Sequence, residues 1–563
     1  MSLFYRGASP VRFAVLFVAL QTCFFFAAQA QSQNVLFIIA DDLGVDYTEV
    51  YQEGTDYPNT PNIDALAEDG ILFRNAWANP VCSPTRATML TGQYGFRTGI
   101  GTVVGTSRRN TSGIDPDTHT IPKALNSANT GYAHACVGKW HLDDESNGGA
   151  DNPNVMGFDY FAGFVNSTEG GDFSQIYYNW QKTVNGTTTT STNYLATENV
   201  DDAIGWIDEQ EAPWFHWLAF FNPHTPFHKP PNDLHSFDAL SGTEEDIEAN
   251  PVPYFKAAVE AMDTEIGRLI AYLKQTGQYE NTTIVYLGDN GTTSQVVQPP
   301  FDPDQAKGTL YEGGVNVPFI ISGAAVANPG RESTALVSAV DLFATGLELM
   351  GADVGSTTPA GTTIDAQSLV PIIQNQTNAI RDWVFTEIFG LNANSDGKAI
   401  RNNSHKLIRF DSGSEELYNL NQDPFETNNL LAGSLSDDAQ TNYRTLTQQL
   451  DNLLGNEVAP LPDEPNDDPQ EPTRPPRRRR TGTAGSTNAV YPNPSQDVVS
   501  VSLADDATTS YTYTVSDKSG QAHMQGTGQG SELAVDISDL DPGVYYLRVE
   551  LPQETTTTRI IKE

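Results

Sequence analysis

The apolar residues of this chain fall into short runs separated by stretches of helical spacing. Runs at 35–40, 214–221, 283–287 and 317–322 are almost wholly apolar, as expected of strands buried on both faces. Between them, 63–69, 121–126 and 255–273 repeat apolar positions at the helical period. This alternation predicts an α/β domain with a large, mostly parallel central sheet flanked by helices. From about 382 to 454 the pattern changes. Strand-like stretches at 383–387 and 406–410 precede a helical pattern over 436–454, which predicts a small α+β subdomain. Residues 459–480 are rich in proline and charge, acids first and then Arg477-Arg478-Arg479-Arg480, the composition of a disordered linker. Alternating stretches at 498–503, 511–515 and 544–550 then predict a separate all-β sandwich domain.

The start of the chain follows a different rule. Arg6 and Arg12 precede a mostly apolar segment over 13–28, and Ala28-Gln29-Ala30 has the form of a small-residue cleavage site. The run is short for a membrane anchor and contains Gln21 and Thr22, so a signal peptide is expected, with the mature chain starting near Gln31. The expected domain bounds are 1–30 for the signal peptide, 31–380 for the catalytic α/β domain, 381–457 for its C-terminal subdomain, 458–488 for the linker and 489–563 for the β-sandwich.

Composition narrows the function. The 563 residues include 31 basic and 71 acidic side chains, a net charge of −40. Such a surface excludes nucleic acid as the expected partner, because phosphate backbones attract clustered Lys and Arg. An anionic substrate would need a local group of Lys, Arg and His to overcome the overall field. Beyond Cys23 in the leading segment only Cys82 and Cys136 remain, too few for a disulfide-built domain.

Candidate chemistry gathers at strand ends. The run Asn34-Val35-Leu36-Phe37-Ile38-Ile39-Ala40 ends in Asp41-Asp42, and Thr283-Ile284-Val285-Tyr286-Leu287-Gly288 ends in Asp289-Asn290. In open α/β sheets, ligands bind beyond the carboxyl ends of strands. Adjacent carboxylates repel unless a cation lies between them. Three carboxylates and an amide from two strand tips suit a hard cation, Ca²⁺ or Mg²⁺; capping of a turn before Gly44 is the alternative for Asp42. In Pro80-Val81-Cys82-Ser83-Pro84-Thr85-Arg86, Ser83 suits an N-cap, Pro84 a first helical residue and Gly92 a C-terminal stop. Cys82 then lies just before a helix N-terminus, where an anion is favoured and a thiol is activated. An activated thiol and a buried structural cysteine both remain open. Arg86 is one turn along. Lys139 and His141 share a side if Gly138-Lys139-Trp140-His141 is extended, and prolines flank His224 in Asn222-Pro223-His224-Thr225-Pro226. Lys307 precedes Gly308 and Tyr311-Glu312-Gly313-Gly314.

Taken together, these residues resemble the formylglycine-dependent (type I) sulfatases of the alkaline-phosphatase superfamily. Cys82-Ser83-Pro84-Thr85-Arg86 through Thr91-Gly92 looks like that family's first signature, and Gly131-Tyr132 through Gly138-Lys139-Trp140-His141 its second. Glu416 to Leu420, with Asp423-Pro424 through Leu430, is similar to its C-terminal motif. The resemblance implies a sulfuric ester hydrolase in which a maturation enzyme oxidises Cys82 to formylglycine. One hydroxyl of the hydrated aldehyde attacks sulfur, the alcohol leaves, and the second hydroxyl helps expel sulfate. It implies that Asp41, Asp42, Asp289 and Asn290 hold Ca²⁺ (Mg²⁺ also fitting) together with residue 82. Arg86 and His141 would hold and activate residue 82, while Lys139, His224 and Lys307 would bind sulfate, His224 protonating the leaving oxygen. Two positions depart from the pattern: His134 replaces the usual Ser or Thr, and Asp143 a frequent Gly. The last domain resembles the C-terminal sorting domain of the type IX secretion system, through Tyr491-Pro492-Asn493-Pro494, Leu540-Asp541-Pro542-Gly543-Val544-Tyr545-Tyr546 and Ile560-Ile561-Lys562-Glu563. That implies passage through type IX secretion machinery to the medium or the cell surface.

The expected substrate is a sulfated polysaccharide or its oligosaccharides. A phosphodiesterase or phosphonate hydrolase on the same scaffold and a non-catalytic glycan-binding relative are the alternatives. Insertions at 101–118 and 143–194 are expected to contribute substrate contacts, with Arg108, Arg109, Tyr177 and Trp180 as candidates. Cys136 is expected to be an unpaired structural residue.

Overall fold

The structure is a computed structural model. It describes residues 33–105, 112–165, 175–392, 394–455, 490–491, 498–502, 510–517, 521–529, 532–538, 540, 543–551 and 554–562. The segments expected to be a signal peptide and a linker, with Arg108 and Arg109, lie outside the described residues, as do parts of the sorting-domain motifs. Two compact units result, 1–462 and 463–563.

The first unit is organised by a ten-stranded sheet. Its strands are β1 (Asn34–Ala40), β2 (Gly70–Trp77), β3 (Ala133–Lys139), β4 (Tyr160–Phe164), β5 (Trp180–Val184), β6 (Thr187–Ser191), β7 (Trp214–Ala219), β8 (Thr282–Gly288), β9 (Phe319–Gly323) and β10 (Arg331–Ser338). They lie in the order β10-β2-β9-β8-β1-β7-β3-β4-β5-β6. β8, β1, β7, β3 and β4 run parallel, whereas β9 runs antiparallel to both β8 and β2. The apolar run of β1 is explained by its place. Val35, Phe37 and Ile39 enter the core on one face, and Leu36, Ile38 and Ala40 the core on the other. A polar side chain on either face would be buried without a partner, so the run is continuous rather than alternating.

Register decides where the chemistry falls. Ala40 pairs with Gly288, Ile39 with Ala219, and Gly138 with Ala219. The parallel strands β8, β1, β7 and β3 therefore end level with one another. Asp289-Asn290, Asp41-Asp42, Asn222 to His224 and Lys139 all leave the same edge of the sheet. Asp41 N donates to Asn222 O at 3.0 Å and Asp289 N to Ala40 O at 2.9 Å, which ties these exits together.

The helix Cys82–Thr91 packs against the helix Asp341–Leu349. Gly92 ends it at φ +69°, and a Cβ there would meet the Phe343 ring at 2.6 Å. Both needs are met only by glycine. The expected start is corrected. The helix begins at Cys82 itself, its N-cap is Val81 with no side-chain cap, and Ser83 lies in the first turn. The Ser83 hydroxyl instead donates to His141 O at 2.8 Å and accepts from Val104 N at 3.1 Å.

The subdomain is an antiparallel meander of β11 (Val384–Ile388), β12 (Gly397–Arg401), β13 (His405–Phe410) and β14 (Glu415–Asn419), covered by the helix Asp437–Leu454. Ser436 caps that helix by accepting from Ala439 N, and Gly455 closes it at φ +71°. In the second unit, sheets of three and four antiparallel strands share a core of Val515, Leu533, Val535, Leu547, Val549 and Ile560, a small β-sandwich. No helix among the described residues is long and apolar enough to cross a membrane.

Candidate active site

The strand exits bring a dense group of charges around the start of the Cys82 helix. The Cys82 thiol donates to Asp41 Oδ1 at 3.4 Å and lies 3.9 Å from Asp42 Oδ1. Lys139 Nζ donates to Asp41 Oδ2 at 2.5 Å. Lys307 Nζ donates to Asp42 Oδ1 and lies 3.8 Å from Cys82 Sγ. His224 Nε2 is 3.6 Å from Asp42 Oδ2. The acids are 0–2% exposed, whereas Lys307 and His224 are 18% and 16% exposed. The acids thus form the floor of the site, and these two basic groups stand at its mouth.

Arg86 is wholly buried. Its Nε and Nη2 donate to Asp289 Oδ2 at 3.1 and 2.8 Å, its Nη1 donates to Lys139 O at 2.6 Å, and Nη2 lies 3.6 Å from Asp41. It reaches back as the helix spacing suggested, but onto Asp289 and Asp41 rather than onto sulfur. Asp289 Oδ1 in turn accepts from Asp42 N at 3.2 Å.

Charge and burial compete at each group. Burial raises Asp289 to about 6, with the charge of Asp41 adding to it and Arg86 opposing. Burial would also raise Asp42, but His224, Lys307 and Lys139 outweigh it and hold that carboxyl well below the usual range. Burial and the neighbouring Asp41 push the Cys82 thiol far up. This reverses the activation expected from a helix N-terminus, because the nearest charge is a carboxylate and water is excluded. As a free thiol, Cys82 is protonated and a poor nucleophile.

His141 has φ +66°. The segment Gly138-Lys139-Trp140-His141 is therefore not extended through His141, contrary to the geometry expected for it. His141 is buried, and its Nδ1 has no hydrogen-bond partner among the described residues. Burial and the surrounding Lys139 and Arg86 charges hold its pKa well down, so the ring is neutral. Burial likewise lowers His224 to about 3 against the pull of Asp42.

The donor set fits a hard divalent cation. The oxygens of Asp41 and Asp42 carry that fit, and they lie within 4.8 Å of ligand atoms of Cys82 and His224, the sulfur marking the position that a formylglycine oxygen would take. Asn290 donates through Nδ2 to Asp42 Oδ1 at 2.9 Å, while its buried Oδ1 has no partner among the described residues. A buried amide oxygen without a donor is costly unless a cation completes it. Asp289 completes the acid group but spends one oxygen on Arg86.

Two of the expected substrate contacts need correction here. Tyr177 and Trp180 are 1% and 2% exposed and lie in the core, so neither meets substrate. His134 sits at the far end of β3 from Lys139, with Nε2 3.2 Å from Asn126 Oδ1, so this departure has no bearing on the site. Cys82 and Cys136 are both free, and Cys136 is buried in the core. Asp46 and Thr292 escaped sequence reasoning. Thr292 donates to Asp46 Oδ1 at 2.6 Å and accepts from Gly44 N at 3.0 Å, so the pair clamps the two acid-bearing loops. Nothing in the spacing of an isolated Asp and Thr signals this.

Known proteins are similar to this chain in sequence and fold. N-acetylgalactosamine-6-sulfatase of Sus scrofa is 29% identical over 371 residues, spanning 61% of this chain and 66% of the relative. The chain thus covers just under two thirds of that relative's length. N-acetylglucosamine-6-O-sulfatase of Bacteroides thetaiotaomicron is 26% identical, spanning 71% of this chain and 83% of the relative. The crystal structure of Ps i-CgsB superposes with a TM-score of 0.62 at 26% identity, covering 75% of this chain and 93% of that one. The family profile described as N-sulphoglucosamine sulphohydrolase, C-terminal, matches 305–456, and that described as Secretion system C-terminal sorting domain matches 489–563. The sulfatase profile matches 33–352, more than half of the chain, and includes every group placed around Cys82. By sequence and fold, the chain belongs to the sulfatase family.

Proposed function

We propose that this chain is a secreted sulfatase that hydrolyses sulfate esters on a sulfated polysaccharide or its oligosaccharides. The observation that carries the proposal is the placing of Cys82 Sγ among Asp41, Asp42 and Lys307 at the mouth of a buried acid cluster. A thiol so surrounded is a poor nucleophile by itself, which suits a residue that acts only after conversion to formylglycine by a maturation enzyme.

Once formed, formylglycine supplies a hydrated aldehyde whose hydroxyl attacks sulfur, and a bound Ca²⁺ (or Mg²⁺) neutralises charge on the sulfuryl group. Asp41, Asp42, Asp289 and Asn290 would hold the cation together with residue 82. Arg86 fixes the orientation of Asp289, and the Ser83 hydroxyl, next to residue 82, donates to the His141 carbonyl. Lys139 and Lys307 bind the sulfate oxygens, offsetting the repulsion that a chain of net charge −40 exerts on an anion.

Proton delivery to the departing alcohol oxygen falls to Lys307 or His224. His224 Nδ1 lies 2.5 Å from Thr225 O, an acceptor, so Nδ1 carries the hydrogen. The neutral ring then presents Nε2 as a bare lone pair. This favours Lys307 as the donor and His224 as an acceptor beside the sulfuryl group, a revision of the role that the family resemblance implied for His224.

The substrate class follows the relatives. Two are named for 6-sulfated N-acetylhexosamines, and the Ps i-CgsB protein has been crystallised with k-i-k-neocarrahexaose at 25% identity. Export rests on the sorting-domain match, with 1–30 as signal peptide and type IX machinery as partner. Protein matured in a host with a formylglycine-generating enzyme is tested on a panel of sulfated glycans, with mass spectrometry of the Cys82 peptide alongside. Sulfate release together with the aldehyde at residue 82 supports the proposal. An unmodified thiol in active protein, or no release across the panel by matured protein, overturns it.

A further inference from the structure

The loop that carries His224 is held from outside by aromatic residues of the insertion expected to bind substrate. The Tyr177 hydroxyl lies 3.0 Å from Phe221 O and 2.6 Å from His224 O, its one proton shared between the two carbonyls that bracket the turn, with the shorter bond to His224 O. The same Phe221 O accepts from His224 N at 2.9 Å. The Tyr177 ring stacks on His228 with centroids 3.5 Å apart, and the Phe221 ring stacks on His224 at 4.6 Å. Around this column runs a second set of bonds. Asn222 Nδ2 donates to Tyr194 Oη at 2.9 Å, Tyr194 Oη lies 3.0 Å from His228 Nε2, and His228 Nδ1 lies 3.3 Å from Pro226 O. Each donor in that chain has an acceptor if His228 is neutral with hydrogen on Nδ1, which its burial favours.

Both ends of the loop are thereby fixed. Asn222 O accepts from Asp41 N on the metal side, and His224 O accepts from Tyr177 on the other. The His224 ring is stacked on Phe221, its Nδ1 meets the carbonyl of Thr225, and its Nε2 looks across 3.6 Å to Asp42. A turn left loose here would let Nε2 swing away from the point where the sulfuryl group must sit, and misplacement by about 1 Å costs on the order of a hundredfold in rate.

We propose that Tyr177 is a positioning residue: by bonding its hydroxyl to the Phe221 and His224 carbonyls, it sets the His224 ring against Asp42. It never touches substrate, being buried. The inference rests on the reading of His224 as a group acting at the sulfuryl centre.

The test compares matured wild type with Tyr177→Phe, which keeps both ring stacks and removes only the hydroxyl. Tyr178→Phe is the control, since Tyr178 donates to Lys229 O at 2.7 Å and not to the His224 turn. For Tyr177→Phe, kcat is expected to fall about tenfold or more while KM stays within about threefold, with the thermal midpoint near that of wild type. The ring-nitrogen NMR signal of His224, assigned by its loss in His224→Gln, should move in Tyr177→Phe and stay in Tyr178→Phe. Should Tyr177→Phe fold poorly, Tyr194→Phe breaks the second chain and is expected to give the same signal shift and a smaller kcat loss. Full turnover with an unmoved His224 signal in Tyr177→Phe overturns the inference while leaving the catalytic reading intact. A matured wild type that releases no sulfate overturns both.

Discussion

Lys307 Nζ lies 3.8 Å from Cys82 Sγ while the same ammonium is hydrogen-bonded to Asp42 Oδ1. One flexible side chain thus spans the nucleophile position and an acid of the cation site. Its backbone is held by Lys307 N donating to Thr292 O at 3.0 Å and Gly308 N to Pro80 O at 2.8 Å. A substituted residue 307 would therefore keep the loop and lose only the charge. Lys307→Met is expected to fold normally and to lose on the order of a hundredfold or more in kcat on a sulfated oligosaccharide. A kcat within threefold of wild type would remove Lys307 from the chemistry.

Arg86 has a different kind of role. It pairs with Asp289 and Asp41 in a wholly buried setting, so its loss leaves carboxylates without a counter-charge. Arg86→Ala is expected to destabilise the cation-free protein by about 3–5 kcal/mol, read from denaturant unfolding of the catalytic unit in the full chain. Added Ca²⁺ should restore part of that loss, since it meets the same carboxylates.

Asn290 tests the cation site directly. Asn290→Ala removes the unpartnered Oδ1 and the bond to Asp42. Calcium affinity measured by calorimetry is expected to fall at least tenfold. Saturating Ca²⁺, at about 100 times its Kd, should stabilise wild type by about 2.7 kcal/mol. Equal affinity in wild type and variant would exclude Asn290 as a ligand.

Stability should also depend on pH through Asp46. Burial raises its carboxyl from the ordinary value to about 6, against hydrogen bonds from Thr292 and Gln298 N. A carboxyl with a raised folded pKa binds its proton more tightly folded than unfolded. Its contribution is complete below pH 4 and is lost as pH rises to about 6, on the order of 3 kcal/mol. Asp46→Asn should flatten that portion of the stability-against-pH curve. A slope unchanged between pH 4 and 6 would show that other buried acids set it.

Local sequence determined a good deal of this protein. The apolar runs marked β1, β7 and β8 because a strand covered on both faces is filled mostly by apolar side chains, and Gly92 marked the end of the Cys82 helix because only glycine fits its φ beside Phe343. The residue types at the strand tips announced a cation and an anion site. What the tertiary structure alone decided is how those groups meet. His224 joins Asp42 because parallel register brings β7 level with β1, a relationship between residues about 180 positions apart. Arg86 proved to bind Asp289 rather than sulfur, and the thiol proved protonated, because burial and neighbouring charge outweigh a helix terminus. His141 turned left-handed where an extended chain was expected. Tyr177, a candidate substrate contact by its place in the 143–194 insertion, lies in the core beneath the His224 loop. Burial, register and through-space charge depend on the whole packed chain, so no local pattern carries them.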